Sequence, residues 1–309
     1  MELVNIRDIS SNWGIEVKEA KRLSDRATLI VSMNDEKYIL KKKESLGQLK
    51  REAKLLDHLK DNRLLTQKLV YNKFDSLFVY YGNEIYCIYN YLYGETASAR
   101  EALQYPMIPK LLGKTIAEQN KAMASIKFAD DFPQKDLYHM VYGHAINNIV
   151  KVDNCKKLIK IFHLLREDIN EVVQSLNKQL IHRDSHMHNI VFKDGLLVGV
   201  IDFDISEVNV KLFDICYCST SVLSEVFLEE NLRSSWVRFV GDLVTEYHLH
   251  NPLSISERNS IWYVMLCIQT IFMSYFINHK DLYQINKEMF LWIYENRSNI
   301  DNMVLQNLK

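Results

Sequence analysis

The sequence has almost no net charge: 38 Lys and Arg stand against 39 Asp and Glu, a formal balance of −1. A protein that held nucleic acid or an anionic membrane through its overall field would carry a marked basic excess, so neither partner is expected. The longest basic run, Lys41-Lys42-Lys43, is far shorter than a nucleic-acid arm and closes an apolar-rich strand pattern. No segment approaches the roughly 18 consecutive apolar residues of a membrane span, and Met1 to Ile15 lacks a basic-then-apolar leader pattern. A cytoplasmic location is expected. Cysteine is scarce and odd in number, at five. Cys87, Cys155, Cys216, Cys218 and Cys267 are scattered along the chain, which argues against a disulfide framework and for reduced thiols. Low-complexity tracts and internal repeats are absent. The 309 residues, 48% of them hydrophobic, suffice for two modest domains or one large one.

From Gly14 to Leu92 the pattern is mostly strand-like. Ala27 to Met33, a polar Asn34-Asp35-Glu36 turn and Lys37 to Lys41 predict a hairpin, and further β-type runs follow at Leu69–Phe74, Ser76–Tyr81 and Glu84–Tyr91. One helix interrupts them over about Glu44–Lys60, with Leu46, Leu49, Ala53, Leu56 and Leu59 at helical spacing. After Tyr93-Gly94-Glu95 the character changes to long helical patterns, broken by one β-type island from Gln179 to Phe203. The expected division is therefore residues 1–92, a β-rich lobe, and residues 93–309, a helical lobe. Asp153–Leu176 predicts a helix central to the second lobe, and the aromatic stripe from Ile261 to Phe276 a core helix.

The chemistry concentrates in Leu180 to Phe192. His182-Arg183-Asp184 followed by Asn189 fits the pattern H-R-D-x-x-x-x-N, and after an Asp194-Gly195 turn comes Ile201-Asp202-Phe203-Asp204, which begins like D-F-G. Phosphoryl transfer spreads charge over phosphate oxygens, so catalysis depends on positioning and metal neutralisation. Asn189 offers a side-chain carbonyl and Asp202 a carboxylate, a hard-oxygen pair suited to Mg2+. Asp184 is then free to orient an acceptor hydroxyl and take its proton. A hairpin between Asn189 and Asp202 accounts for their separation in sequence.

Upstream, such a site needs a strand lysine for the phosphates and a helix glutamate to hold it. Ile39-Leu40-Lys41 fits the strand, and Glu52 is the candidate partner. Lys43 points to the same face as Lys41, so either lysine would serve.

With these motifs the chain resembles the aminoglycoside phosphotransferase and choline kinase-like family, with its homoserine kinase and spore-coat relatives, over nearly its full length. The resemblance is clearest from Leu180 to Tyr217, where His182-x-Asp184, Asn189, Ile201-Asp202-Phe203-Asp204 and Phe213-Asp214-Ile215 match the family's catalytic loop, metal aspartate and following aspartate. It implies an α+β, bilobal protein-kinase-like fold: a small β-rich N-terminal lobe with one helix and a larger, mainly helical C-terminal lobe. It implies that Asp214 buttresses the catalytic loop, and that Tyr91 to Glu95 is a hinge where backbone groups near Asn90 and Leu92 hydrogen-bond a purine. Three departures stand out. The phosphate-covering turn, Leu23 to Ala27, has no glycine, so Ser24 would have to serve there and Asp25 would have to face solvent. The third D-F-G position is Asp204, which would assist the metal or cap a turn. No Ala-Pro-Glu follows Asp202, which favours a small acceptor over a protein.

The expected activity is thus Mg2+-dependent transfer of the γ-phosphate of ATP or GTP to a hydroxyl of an aminoglycoside-like molecule or related amino alcohol. A choline-, homoserine- or sugar-type metabolic kinase and an inactive kinase-like binding protein are the alternatives. Glu207, Glu225, Glu229 and Glu230 would suit a polycation, and Tyr217, Trp262 and Tyr263 a quaternary amine, although a solvated face and core are the ordinary readings of these sets. A zinc site from His182, His186 and His188 would leave Asp184, Asn189 and Asp202 without roles. Cys216 and Cys218, two apart on a helix, diverge and read as buried thiols.

Overall fold

The computed structural model describes residues 3–306. The chain opens with α1 (Leu3–Ser11), β1 (Val17–Arg22), β2 (Ala27–Ser32), β3 (Lys37–Lys43), α2 (Leu46–Asp61), β4 (Val79–Tyr81) and β5 (Glu84–Asn90). It continues through α3 (Ala99–Gln104), α4 (Met107–Ala124), a π-helical turn at His139–Ala145, α5 (Ile146–Val152) and α6 (Lys156–Ser175). Four short strands follow: β6 (Lys178–Ile181), β7 (Ile190–Lys193), β8 (Leu196–Val200) and β9 (Glu207–Val210). Five helices complete it: α7 (Phe213–Val226), α8 (Glu230–His250), α9 (Ile255–Tyr275), α10 (Lys280–Glu295) and α11 (Arg297–Gln306).

The chain divides into two compact units. The smaller holds the described residues up to Glu95 together with Val191–Asp204; the larger holds Thr96–Ile190 and the residues from Ile205 onward. A single cut after residue 92 does not describe this division, because the β7–β8 segment folds with the N-terminal residues. The architecture is α+β, with a small antiparallel-sheet region and a larger, mainly helical one.

In the smaller unit five antiparallel strands run in the order β1-β2-β3-β5-β4. The alternation of β3 sorts its side chains: Leu40 faces a core made with Ile6, Ile9, Ile30, Tyr86 and Ile88, whereas Lys41 and Lys43 lie on the opposite face. On the first of these faces sits α1, nine residues long and anchored by buried Ile6 and Ile9. It is a second helix in a lobe expected to hold one, and its shortness gave little periodicity to read. The expected helix, α2, is capped by Ser45, whose hydroxyl accepts from Gln48 N at 3.1 Å. Its buried stripe includes Glu52 among Leu49, Leu55, Leu56 and Leu59. The strand expected at Leu69–Phe74 is reduced to a single antiparallel bridge, Leu69 to Tyr89. Asn72 turns the chain there instead, with Oδ1 accepting from Phe74 N (2.9 Å) and Ser76 N (3.0 Å). The run Ser76–Tyr81 shrinks to β4.

The Asp194-Gly195 turn forms as the sequence predicts, with φ of 52° and 74°, and joins β7 to β8. Gly94 lies against this hairpin. A Cβ there would meet Phe192 O at 2.4 Å, and the neighbouring Glu95 exchanges two 2.8 Å backbone hydrogen bonds with Phe192. In the larger unit β6 pairs antiparallel with β9, a strand absent from the expected β island, and brings Ile181 opposite Glu207. The helices pack around buried Trp236, Tyr247, Trp262 and Phe290. Cys216, Cys218 and Cys267 are free, buried thiols within this packing. Among the described residues no helix is long and apolar enough to cross a membrane.

Candidate functional site

Five ionisable groups converge in the smaller unit. The Lys41 ammonium lies 2.8 Å from Asp202 Oδ1 and 3.8 Å from Asp204 Oδ2. Lys43 bonds Glu52 Oε2 at 2.5 Å and also bonds Asp204 Oδ1. Glu52 is therefore held by Lys43 rather than Lys41, a two-residue shift along β3 from the expected pair. Both ammonium groups lie over the buried Tyr89 ring, at 5.5 Å and 5.1 Å from its centroid. Gln48 Nε2 donates to Asp204 O at 2.9 Å, tying α2 to the same place.

The environment sorts these charges. Burial pushes the Glu52 carboxyl up to about 7 against the pull of Lys43. For Lys43 burial works the other way, but Glu52 and Asp204 outweigh it and hold the ammonium above its ordinary value. Asp204 is opposed by burial too, yet the two lysines keep it below the usual aspartate range. Asp202 has φ 69°, in the left-handed region that non-glycine residues rarely occupy.

In the larger unit the loop after β6 is built on Asp214, fully buried in the first turn of α7. Its carboxylate accepts from His182 N (3.1 Å), Arg183 N (2.9 Å) and Gln119 Nε2 (3.3 Å). Gln119 also donates to Ser185 Oγ at 2.8 Å. The loop is thus fixed through its backbone, and Arg183 takes φ 76° within it. Arg183 stacks over Phe213 at 4.2 Å and pairs with buried Glu207 at 3.1 Å. Glu207 is thereby turned inward, away from the acceptor role its charge suggested.

Asp184 emerges from this frame. Asn189 Nδ2 donates to Asp184 O (2.9 Å) and Oδ2 (3.0 Å), which leaves the Asn189 carbonyl oxygen for another partner. Burial raises the Asp184 carboxyl, but His186, 3.5 Å from Oδ2, with His182 and Tyr217, more than offsets this and holds it below the ordinary value. The three histidines do not converge. His182 Nδ1 accepts from Asp184 N, His186 meets Asp184, and His188 meets Glu225 at 2.7 Å. Among the described residues no group of three or more His, Cys, Asp or Glu side chains is arranged to hold a metal.

The remaining expected nucleotide contacts belong to the smaller unit. Ser24 Oγ accepts from Arg26 N (3.2 Å) and Ala27 N (3.1 Å), so the serine caps its own turn. Asp25 faces solvent, with its side chain 93% exposed, and pairs with Arg22. In the segment expected to bind a purine, Asn90 N donates to Lys68 O at 3.0 Å and Asn90 Oδ1 accepts from Lys68 N at 2.5 Å. The backbone of Leu92 is engaged by no hydrogen bond from a described residue.

A model of the phosphotransferase enzyme family, APH, matches residues 17–252. The chain belongs to this family. Its fold is shared with amicoumacin kinase, solved with AMP-PNP and Ca2+, at 11% identity over 97% of this chain and 93% of that one, TM-score 0.72. A GDP complex of aminoglycoside 2'-phosphotransferase-IIIa matches at 14% identity over 96% and 100%, TM-score 0.67. An ethanolamine kinase of Plasmodium vivax matches at 14% identity over 91% and 83%, TM-score 0.61. The fold is that of small-molecule kinases.

In this member of the family three of the four acidic residues that would suit a polycation already have a side-chain partner. Glu207 pairs with Arg183, Glu225 with His188, and Glu229 with Arg100 at 2.6 Å. Nor do Tyr217, Trp262 and Tyr263 form one cage: Trp262 is buried, donates to Ile293 O at 2.8 Å, and meets Tyr263 edge to face, with Arg297 over both rings. A different aromatic rank lies beside Asp184. His186 meets the edge of Tyr217, Tyr217 stacks on Phe272 at 5.6 Å, and Phe272 on Phe276 at 6.1 Å. Phe272 and Phe276 belonged to the predicted core stripe; only their half-burial distinguishes them from it.

Proposed function

We propose that this phosphotransferase moves the γ-phosphate of ATP or GTP, with Mg2+, to a hydroxyl of a small alcohol that carries one amine. The observation that carries the reading is the ionised, part-exposed Asp184 carboxylate, fixed by Asn189 on the Asp214 frame. The relatives solved with AMP-PNP or GDP support a nucleotide as the donor.

Asp184 would accept a hydrogen bond from the acceptor hydroxyl and take its proton as the oxygen bonds the γ-phosphorus and the bond to the β–γ bridging oxygen breaks, releasing the nucleoside diphosphate. Its low proton affinity gives it an orienting role above a strongly basic one. Asp202 and Asn189 each present a hard oxygen, as magnesium requires, and we assign them as its ligands. The ion would supply neutralisation of phosphate charge. Lys41 would contact the phosphates, and the free backbone of Leu92 would bond the base.

A single amine is favoured because Glu207 and Glu229 are already paired with arginines while the His186, Tyr217, Phe272 and Phe276 rings offer cation–π surface. The test is a phosphorylation screen of ethanolamine-like and choline-like alcohols, aminoglycosides, homoserine and sugars, with ATP and GTP side by side. Faster turnover of mono-amine alcohols than of aminoglycosides is expected; products from non-amine acceptors alone would overturn this. A second reading, an inactive binding protein, draws on the self-capped Ser24 turn. It predicts no turnover with any acceptor.

A further inference from the structure

The smaller unit carries a second lysine–carboxylate pair that the proposed reaction does not use. We propose that Lys43 and Asp204 form a fixed brace that holds Glu52, leaving Lys41 as the lysine that meets the nucleotide phosphates. The inference rests on the nucleotide-binding reading above.

The two lysines differ in what they are free to do. The Lys43 side chain is 0% exposed, lies over Tyr89, and joins two carboxylates that are themselves largely buried. Drawing it toward a phosphate would strand Glu52 and Asp204 as unpaired charges, a far larger cost than a surface pair would incur. Lys41 has one close partner, Asp202, whose side chain is 39% exposed. Releasing that pair leaves a carboxylate that water or a cation can reach. The geometry thus divides the labour, with Lys43 as the positioning residue and Lys41 as the binding one.

Charge counting gives the same division. With all five groups ionised, Lys41 and Lys43 face Glu52, Asp202 and Asp204, a formal balance of −1. Without Lys43 the balance is −2, which draws Lys41 inward and repels a triphosphate. Without both Lys43 and Asp204 it returns to −1, with one lysine facing one helix glutamate and one strand-end aspartate. Glu52 Oε1 is buried and accepts no hydrogen bond among the described residues, so it offers Lys41 a partner once Lys43 is gone. Asp204, standing where D-F-G has glycine, and the extra lysine of β3 thus form one linked departure.

The test measures ATP and GTP dissociation constants by calorimetry in magnesium buffer, with melting temperatures, on the full chain. K41M should weaken nucleotide binding at least about tenfold and lower the melting temperature less than K43M does. K43M should weaken binding about tenfold and lower the melting temperature. K43M/D204G should bind several-fold more tightly than K43M, although it carries one more substitution. Where K43M is too unstable to titrate, the double variant should still melt above it. A double variant that binds no better and melts no higher than K43M, or a K41M that binds normally, overturns the brace while leaving nucleotide binding intact. Wild-type protein that binds neither nucleotide overturns both readings.

Discussion

The two clusters are built on opposite principles. In the smaller unit, charged side chains hold one another: Lys41 and Lys43 from β3, Glu52 from α2, and Asp202 and Asp204 after β8. In the larger unit one carboxylate, Asp214, holds backbone N–H groups, and the loop it shapes holds Asp184. A side-chain cluster can be rebalanced by removing charges in matched sets. A backbone frame has no such freedom, because the N–H groups remain whatever replaces their acceptor.

The largest effect should come from breaking that frame. Asp214→Ala leaves the buried N–H groups of His182 and Arg183 without an acceptor, at a cost on the order of 3–5 kcal/mol. Denaturant unfolding should show this loss, and turnover should collapse with it. Asp214→Asn, which keeps one acceptor oxygen, should recover part of both.

Smaller, and confined to the side-chain cluster, is the pH response of Glu52. Its folded carboxyl is raised to about 7 from an ordinary 4.5, so its contribution to stability is complete below pH 4.5 and lost as pH rises through about 7. A carboxyl that holds its proton this much more tightly when folded loses on the order of 3 kcal/mol of stability across that range. Glu52→Gln should flatten this part of the stability profile; an unchanged slope would mean that another group carries it. Asp184 and Asp204, both lowered, act in the opposite sense: their contributions are present above about 3.8 and disappear as pH falls through their folded values.

The smallest effect lies outside both clusters. Ser254 and Glu257 form a reciprocal cap on α9, and Ser254→Ala should cost about 1 kcal/mol with turnover preserved. A loss of activity there would mean that α9 acts on the site more directly than its core packing implies.

The backbone frame was the more legible of the two. His182, Asp184 and Asn189 fall within one short loop, Asp214 is implied by the family resemblance, and the Asp194-Gly195 turn announces its own geometry. Side-chain pairing across elements leaves a weaker trace. Lys41 and Lys43 share a face of β3, and only the structure distinguishes which of them reaches Glu52. The strand expected at Leu69–Phe74 stops after one bridge for a local reason, since Asn72 bonds its own neighbours in place of a longer ladder. Phe272 and Phe276 read as core because a stripe of rings has the same period whether it is covered or half exposed.

Wild-type protein and Asp184→Asn, compared for magnesium-dependent phosphoryl transfer from ATP and GTP with parallel melting curves, give the most direct test. The expected result is measurable wild-type turnover and a fall of at least about 100-fold in the variant, with the variant still folded and melting only modestly below the wild type. Turnover that survives the substitution, or a wild type that transfers phosphate to no acceptor, would contradict the assignment of Asp184 and with it the phosphotransfer reading.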